Sequence, residues 1–378
     1  MKLEEYRSGE FRQGYQYQYF LPSNINDSWV WDNPQINQLV ENAAIRLGEL
    51  NSFARLVPNT DLFIQLHVTK EAVVSSRIEG TRTNVDEVLL PQEAISPERR
   101  DDWQEVNNYI QAMNEAIDSL KTLPLSSRRL KQAHQVLLSG VRGEHKLPGE
   151  FRTSQNWIGG SGLSDAVFIP PAQEHVPDLV GDLEKFLHNT EIMLPALVRV
   201  GIAHYQFETI HPFLDGNGRI GRLLITLFLV SEGILDQPLL YLSTYFEKDK
   251  DLYYDNLTRV RTHNDMVQWL KYFLVGVEQT ATEAAATLTE IIELKSKTEQ
   301  RIHENFGRRA ANATLLLGHL FERPIISVEQ AAKFCGVSFG PANELIALMC
   351  EHGTLSEITG QSRNRLFAFD PYIRMFYT

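Results

Sequence analysis

Residues 211 to 222 read HPFLDGNGRIGR and sit between two helical patterns, 193 to 209 and 217 to 233. Gly216, Asn217 and Gly218 remove side-chain bulk where the second helix begins, so free backbone N–H groups and the positive end of the helix dipole can face an anion. A polyphosphate fits there. Arg219 and Arg222 are three apart on the first turn, hence on one side, and each offers a fork of donors matched to phosphate oxygens. Asp215, just outside the turn, can hold Mg²⁺ through one carboxylate while phosphates and waters complete an octahedron. His211 remains as the titrating group, and the ordinary histidine pKa of about 6.5 suits a general base near neutrality. Taken singly, a His before Pro or a DG or NG step is usually just a turn. The joint pattern is what points to phosphate.

This stretch resembles the core motif of the Fic family, HxFxDGNGRxxR, at all eight specified positions. At about 5% per residue type, a chance match at one starting point is on the order of 10⁻¹⁰. The resemblance implies a mainly α fold, a Fic-type helical core with a β-hairpin flap, and transfer of AMP from ATP to a Ser, Thr or Tyr hydroxyl of a protein, self-adenylylation included. His211 would take the hydroxyl proton, and Asp215 would bind the Mg²⁺ bridging α- and β-phosphates. Residues 216 to 218 would form the anion hole within a phosphate-binding run that extends through Arg219, Ile220 and Gly221, and Arg222 would pair with the γ-phosphate.

Residues 75 to 80, SSRIEG, fit the family's inhibitory pattern, and their position upstream of the core resembles the subclass with an N-terminal inhibitory helix, here about 68 to 80. Ser75 and Glu79 are spaced i,i+4 on one face, and Gly80 is the residue type that ends a helix with positive φ. The implied partner of Glu79 is Arg222, so that ATP enters with its γ-phosphate misplaced. Residues 155 to 171, QNWIGGSGLSDAVFIPP, read as a hairpin. They resemble the family flap, which clamps a target segment as an added strand, with Ile158 and Phe168 as the clamp. Nucleotide contacts would fall near Trp157 to Gly159 and at Tyr253 or Tyr254. His204 reads as a packing residue and Asp165 as a turn residue.

The chain has 378 residues, 43% hydrophobic and 22% charged, as expected of a soluble globular protein of two or three domains. No apolar run of membrane-spanning length and no secretory pattern at the N-terminus are present, so a cytoplasmic protein is expected. Cys335 and Cys350 match neither a disulfide framework nor a zinc site and read as core residues. The net charge of −12 argues against a broad nucleic-acid or membrane surface. Residues 1 to 34 read as an irregular arm, and further helical patterns run over 36 to 53, 60 to 80, 101 to 121, 126 to 141, 173 to 189, 249 to 260 and 265 to 304. The expected division is a helical region 1 to 100, a catalytic core 101 to 290, and a module 306 to 378.

That last module, in the order helix, short strand, two helices, two strands, resembles a winged helix-turn-helix. The segment where a recognition helix would lie, GPANELIALMCEH, has no Lys or Arg and two Glu, so protein docking or a homodimer contact is expected rather than DNA. Two other functions stay open at this level. One is a transcriptional regulator that uses the winged helix. The other is transfer of a different nucleotide or phosphate-containing group.

Overall fold

The computed structural model describes residues 2–56, 61–361 and 363–377, and among them the chain forms fifteen α-helices and five short strands. The first helices are α1 (Pro34–Leu56), α2 (Asp61–Ile78), α3 (Val85–Leu89), α4 (Arg100–Ser119) and α5 (Ser127–Leu137). The central ones are α6 (Val176–His188), α7 (Ala196–Ile210), α8 (Asn217–Ser231), α9 (Ser243–Lys248), α10 (Lys250–His263) and the forty-residue α11 (Met266–Asn305). The last are α12 (Ala310–Glu322), α13 (Val328–Cys335), α14 (Phe339–Glu351) and α15 (Asp370–Ile373). β1 (Gly9–Gln13) pairs antiparallel with β2 (Gln18–Pro22), while β3 (Ile325–Ser327) and β4 (Ser356–Glu357) flank β5 (Leu366–Ala368) in an antiparallel sheet. No described helix is long and apolar enough to cross a membrane.

The centre of the molecule is α7, in which every residue from Leu197 to Ile210 is buried. A helix buried on all sides must find partners for its polar groups. Arg199 does so by donating to the carbonyls of Phe186 and Ile192, which closes the end of α6. His204 lies between Gly221 O, 2.8 Å from Nδ1, and the Tyr253 hydroxyl, 2.9 Å from Nε2. A carbonyl only accepts, so Nδ1 carries the proton and Nε2 accepts from Tyr253. Trp269, fully buried on α11, donates through Nε1 to Gly201 O at 2.8 Å and joins α11 to α7. α8 is buried from Asn217 to Leu229 and packs against α7, with the 211 to 216 turn between them.

Several expectations are corrected. Residues 1 to 34 are not wholly irregular: β1 and β2 form a hairpin with Phe11 opposite Phe20, and Gln16 takes φ 63° in its turn. The 249 to 260 pattern is preceded by α9, which the sequence reading missed. Asp249 separates α9 from α10, its side chain accepting from Leu252 N at 3.0 Å. Residues 155 to 171 hold no regular strands and form one antiparallel bridge, Ile158 to Phe168. Cys335 and Cys350 are free and half-buried at the edge of the core. Residue 60 of the expected 60 to 80 pattern lies outside the described residues, and the rest of that pattern forms α2 and the turn after it. Residues 310 to 368 follow the expected order of elements.

Trp269→Ala removes both a large buried ring and the N–H that satisfies Gly201 O. It is expected to cost about 3–5 kcal/mol of stability, read as a lower denaturant midpoint in chemical unfolding followed by far-UV circular dichroism.

Candidate active site

α7 ends at His211, which takes the left-handed conformation (φ 50°, ψ 61°) while its N–H bonds Phe207 O at 2.9 Å. That conformation is costly for a side-chain-bearing residue, of order 1–3 kcal/mol, and persists only where surroundings over-determine it. Here the His211 carbonyl accepts from Arg152 Nε at 3.0 Å and Asn156 Nδ2 at 3.3 Å. The turn beyond is closed by Asn217, whose Oδ1 accepts from Phe213 N and whose Nδ2 donates to Phe213 O, both at 2.8 Å. His134 supports it from α5. Its ring stacks on Phe213 at 3.8 Å, Nδ1 accepts from Gly149 N at 2.9 Å, and Nε2 therefore donates to Asp215 O at 3.0 Å.

Gly216 caps α8 with φ 73°, a conformation that favours glycine. The first hydrogen bond of α8 runs from Ile220 N to Gly216 O at 3.1 Å, so the N–H groups of Asn217, Gly218 and Arg219 precede the ladder and can face an anion. Gly218 leaves room for the ion pair: a Cβ there would meet Glu79 Oε1 at 2.1 Å and Arg222 Nη1 at 2.8 Å, so a larger residue has to displace those side-chain ends. A cavity of about 500 Å³ opens over this turn. His211, Asp215, Gly216, Asn217, Gly218 and Arg222 line its floor, and Trp157, Ile158, Gly159 and Phe168 line the side made by the 155 to 171 loop. Val167 and Phe168 N–H groups donate to Ile158 O at 2.9 and 3.1 Å, and Phe20 N of β2 donates to Ile169 O at 3.0 Å, so the terminal hairpin braces that loop.

Arg222 is engaged by the end of α2. Its Nε donates to Ser75 Oγ at 2.8 Å, and its Nη2 to Ser75 O at 2.9 Å and to Glu79 Oε1 at 2.7 Å. The guanidinium is 2% exposed and the carboxylate 32%. Burial opposes the charge of Arg222, yet Glu79 together with the acidic groups of Tyr253, Glu208 and Tyr109 outweighs it and holds the guanidinium still more firmly protonated. Burial likewise works against Glu79, and the charge and hydrogen bond of Arg222 outweigh it and hold the carboxyl below its usual range. Gly80 follows with φ 105°, and Lys250 donates to Ile78 O, meeting the carbonyl end of α2 with a cation. Burial pushes His211 down to about 4 despite the opposing charge of Glu79, so the ring is neutral near pH 7, and its Nδ1 has no hydrogen-bond partner among the described residues.

Not every expected residue reaches the cavity. Arg219 and Arg222 do not share a side: Arg219 is turned to Glu105 of α4 at 3.4 Å, and its carbonyl accepts from Tyr109 Oη at 2.8 Å. Ile220 and Gly221 are buried in α8, and Ser75 acts on Arg222 without lining the cavity. Of the tyrosine pair, Tyr254 lines the cavity whereas Tyr253 is buried against His204. Asp165 is the turn residue it was read as, accepting from Ser161 N and Gly162 N. Sequence reasoning missed Glu208 and Arg261, which also line the cavity. Burial pushes Glu208 up to about 7, its Oε1 has no hydrogen-bond partner among the described residues, and Arg261 lies 3.9 Å over the Phe168 ring. The signal for Glu208 was its place one turn before His211 on the same helix.

The turn thus presents free N–H groups, a guanidinium, a carboxylate and a neutral imidazole to one cavity, a set of groups that can meet a phosphate. Residues 37–118 match the Fic/DOC family N-terminal model and residues 124–229 match the Fic/DOC family model. The chain belongs to the Fic/DOC family. It is similar to the protein adenylyltransferase fic-1 of Caenorhabditis briggsae, 29% identical over 34% of this chain and 25% of that protein. It is also similar to a probable protein adenylyltransferase of Aquifex aeolicus, 28% identical over 46% of this chain and 51% of that protein. The chain thus spans between a quarter and about half of the length of these curated relatives. A solved Fic family protein from Desulfovibrio desulfuricans shares the fold with a TM-score of 0.56 at 21% identity, covering 90% of this chain and 98% of that one.

The buried rings set an acid limit on stability. Burial pushes His67, His134 and His211 down to about 4 and His204 to about 3, so the fold keeps them neutral while the unfolded chain protonates them near pH 6.5. Glu71 and Glu208, pushed up by burial to about 7, act oppositely, but two carboxyls face four rings. Stability is therefore expected to peak near pH 7 and to fall toward pH 4, by about 1.4 kcal/mol per pH unit for each net proton. Denaturant midpoints measured across that range check it, and His134→Gln should give the shallower slope.

Proposed function

We propose that this chain is a protein adenylyltransferase that moves AMP from ATP to a Ser, Thr or Tyr hydroxyl of a protein, itself included, and is held in check by Glu79. The observation that carries this reading is the one cavity floor shared by His211, Asp215, the open N-terminus of α8 and Arg222. The names of the adenylyltransferase relatives support the choice of ATP as donor. His211, neutral near pH 7, accepts the hydroxyl proton as the oxygen attacks the α-phosphorus. A new O–P bond forms, the bond from the α-phosphorus to the oxygen bridging to the β-phosphate breaks, and pyrophosphate leaves. The N–H groups of Asn217, Gly218 and Arg219 hold α- and β-phosphate oxygens, and Arg222, once released, takes the γ-phosphate.

Mg²⁺ fits Asp215. Its carboxylate lines the cavity with the side chain 48% exposed, which suits an ion held by one carboxylate plus nucleotide oxygens. The ion, when bound, supplies charge neutralisation between the α- and β-phosphates. Asp215, whose backbone carbonyl His134 fixes, would hold the ion. The target segment would add to the 155 to 171 loop beside Ile158 and Phe168, where backbone pairing gives register with little demand on sequence. Tyr254 lines the same cavity from α10 and is read as a nucleotide contact.

We read residues 1 to 100 as a helical region carrying the inhibitory α2, residues 101 to 290 as the catalytic core, and residues 306 to 378 as a winged helix-turn-helix. α14 bears no Lys or Arg, which favours a protein partner or a homodimer contact over DNA. The two free cysteines suit a reducing compartment, and we place the protein in the cytoplasm.

Incubation with labelled ATP, UTP and CDP-choline in turn, read by mass shift on protein, is expected to show transfer from ATP alone. His211→Ala should abolish labelling while calorimetric ATP affinity falls only modestly; equal label on the variant contradicts the assignment. Glu79→Gly is expected to raise labelling about ten- to a hundredfold, the equivalent of one charge-assisted hydrogen bond of about 1.5–3 kcal/mol. Adding Arg222→Ala should remove that gain. An unchanged or lower rate for Glu79→Gly under saturating Mg-ATP would defeat the inhibitory assignment and leave that of His211 standing.

A further inference from the structure

α8 carries a second guanidinium, that of Arg219, whose side chain is 4% exposed. A guanidinium taken out of water has to be met by anions. Two carboxylates lie within ion-pair distance of it among the described residues. Glu105 of α4 places Oε2 3.4 Å from Nη1, and Asp215 places Oδ1 3.9 Å from Nη2. Arg219 Nε has no hydrogen-bond partner among the described residues. The charge of Arg219 also reaches Glu79, but that carboxylate is taken by Arg222.

The two carboxylates differ in what else holds them. Glu105 is buried, with its side chain 9% exposed, and its Oε1 accepts from Arg142 Nε at 2.8 Å. Arg142 Nη2 also donates to Asp102 Oδ1 at 2.8 Å, so an exposed arginine clamps Glu105 in place from the surface. Asp215 is exposed and lines the first cavity. Its Oδ1 accepts from Gly216 N at 2.6 Å, and a Cβ on Gly143, next to Arg142 in the chain, would come within 3.3 Å of Oδ2. The backbone of Arg219 is tied to α4, because its carbonyl accepts from Tyr109 Oη at 2.8 Å, so the choice between partners rests with the side chain. At 3.9 Å the contact with Asp215 is charge attraction without a hydrogen bond, and a movement of about 1 Å would turn it into one.

We propose, resting on the reading of Asp215 as the metal carboxylate, that Glu105 is a positioning residue: by pairing with Arg219 it keeps that guanidinium from closing on Asp215 and leaves the carboxylate open to a divalent cation. Without the charge of Glu105, the buried guanidinium has Asp215 as its remaining carboxylate within ion-pair distance among the described residues. Guanidinium and cation then compete for one group. Such a competition is surmountable, since excess cation restores the site. Damage to the fold behaves otherwise and lowers nucleotide affinity at every cation concentration.

The test is calorimetric titration of the full chain with ATP over a series of Mg²⁺ concentrations, which reads nucleotide affinity and counts no label. Glu105→Gln is expected to raise the Mg²⁺ concentration that gives half of the maximal affinity by about tenfold, the equivalent of one charge-assisted hydrogen bond gained by Arg219. At saturating Mg²⁺ its affinity should come close to that of the wild type. Adding Arg219→Gln removes the competitor and should bring the Mg²⁺ requirement back. Asp215→Ala, titrated alongside, separates the two readings. If it shifts the Mg²⁺ requirement and folded Glu105→Gln does not, the role of Glu105 is overturned and that of Asp215 stands. If Asp215→Ala shifts nothing, the metal reading falls and the role of Glu105 with it. An affinity lowered equally at every Mg²⁺ concentration, or a shift that persists in the double variant, also overturns the proposal. Where circular dichroism shows Glu105→Gln unfolded, Glu105→Asp keeps the charge on a shorter arm and should give a smaller rise, and no rise in that folded variant overturns it.

Discussion

A guanidinium 2% exposed has to be met by anions or lone pairs, and at Arg222 these come from Ser75 and Glu79, more than 140 residues earlier in the chain. That requirement fixes how α2 lies against α8. Ser75 supplies both a hydroxyl and a carbonyl, so the helix is held by its backbone as well as by its side chains. Gly218 leaves the room that the carboxylate occupies, and Lys250 closes the end of α2 from α10. The phosphate-type turn and the element proposed to regulate it are therefore parts of one packing problem. A ligand that competes for Arg222 has to repay what Glu79 now provides.

The turn itself is built by neutral groups in strained or crowded positions. His211 holds a left-handed backbone because Arg152 and Asn156 fix its carbonyl, and His134 fixes the next segment through Asp215 O. Both rings are kept neutral by burial. A protonated His134 could not accept from Gly149 N, so acid strong enough to protonate it would loosen the Asp215 position. The same neutrality lets His211 receive a proton near pH 7.

Much of this was legible in twelve contiguous residues, because the turn, the helix start, the carboxylate and the imidazole all come from 211 to 222. The α2 contact was expected from the resemblance of residues 75 to 80 to the family's inhibitory pattern, while helical spacing said only that Ser75 and Glu79 share a face. What escaped depended on rotation and on distant chain. Arg219 and Arg222 are close in sequence, yet one side chain has Glu105 to pair with and the other has Glu79, and partners that far away leave no local sign. Tyr253 and Tyr254 differ by about 100° around α10, enough to bury one and expose the other to the cavity. Glu208 and Arg261 carry no motif of their own. The β1–β2 hairpin was hidden because its turn, residues 14 to 17, places the positive φ at Gln16 and not at its glycine, Gly14.

The central claim is that Glu79 and the γ-phosphate compete for Arg222. Calorimetry with Mg-ATP and Mg-ADP on the wild-type chain and on Glu79→Gly measures that competition without any turnover on a target. The account expects the wild type to bind the two nucleotides with nearly equal affinity, and the variant to bind ATP about tenfold or more tighter than ADP, the contribution of an Arg–phosphate contact. An ATP-to-ADP affinity ratio that is the same in both proteins would contradict it.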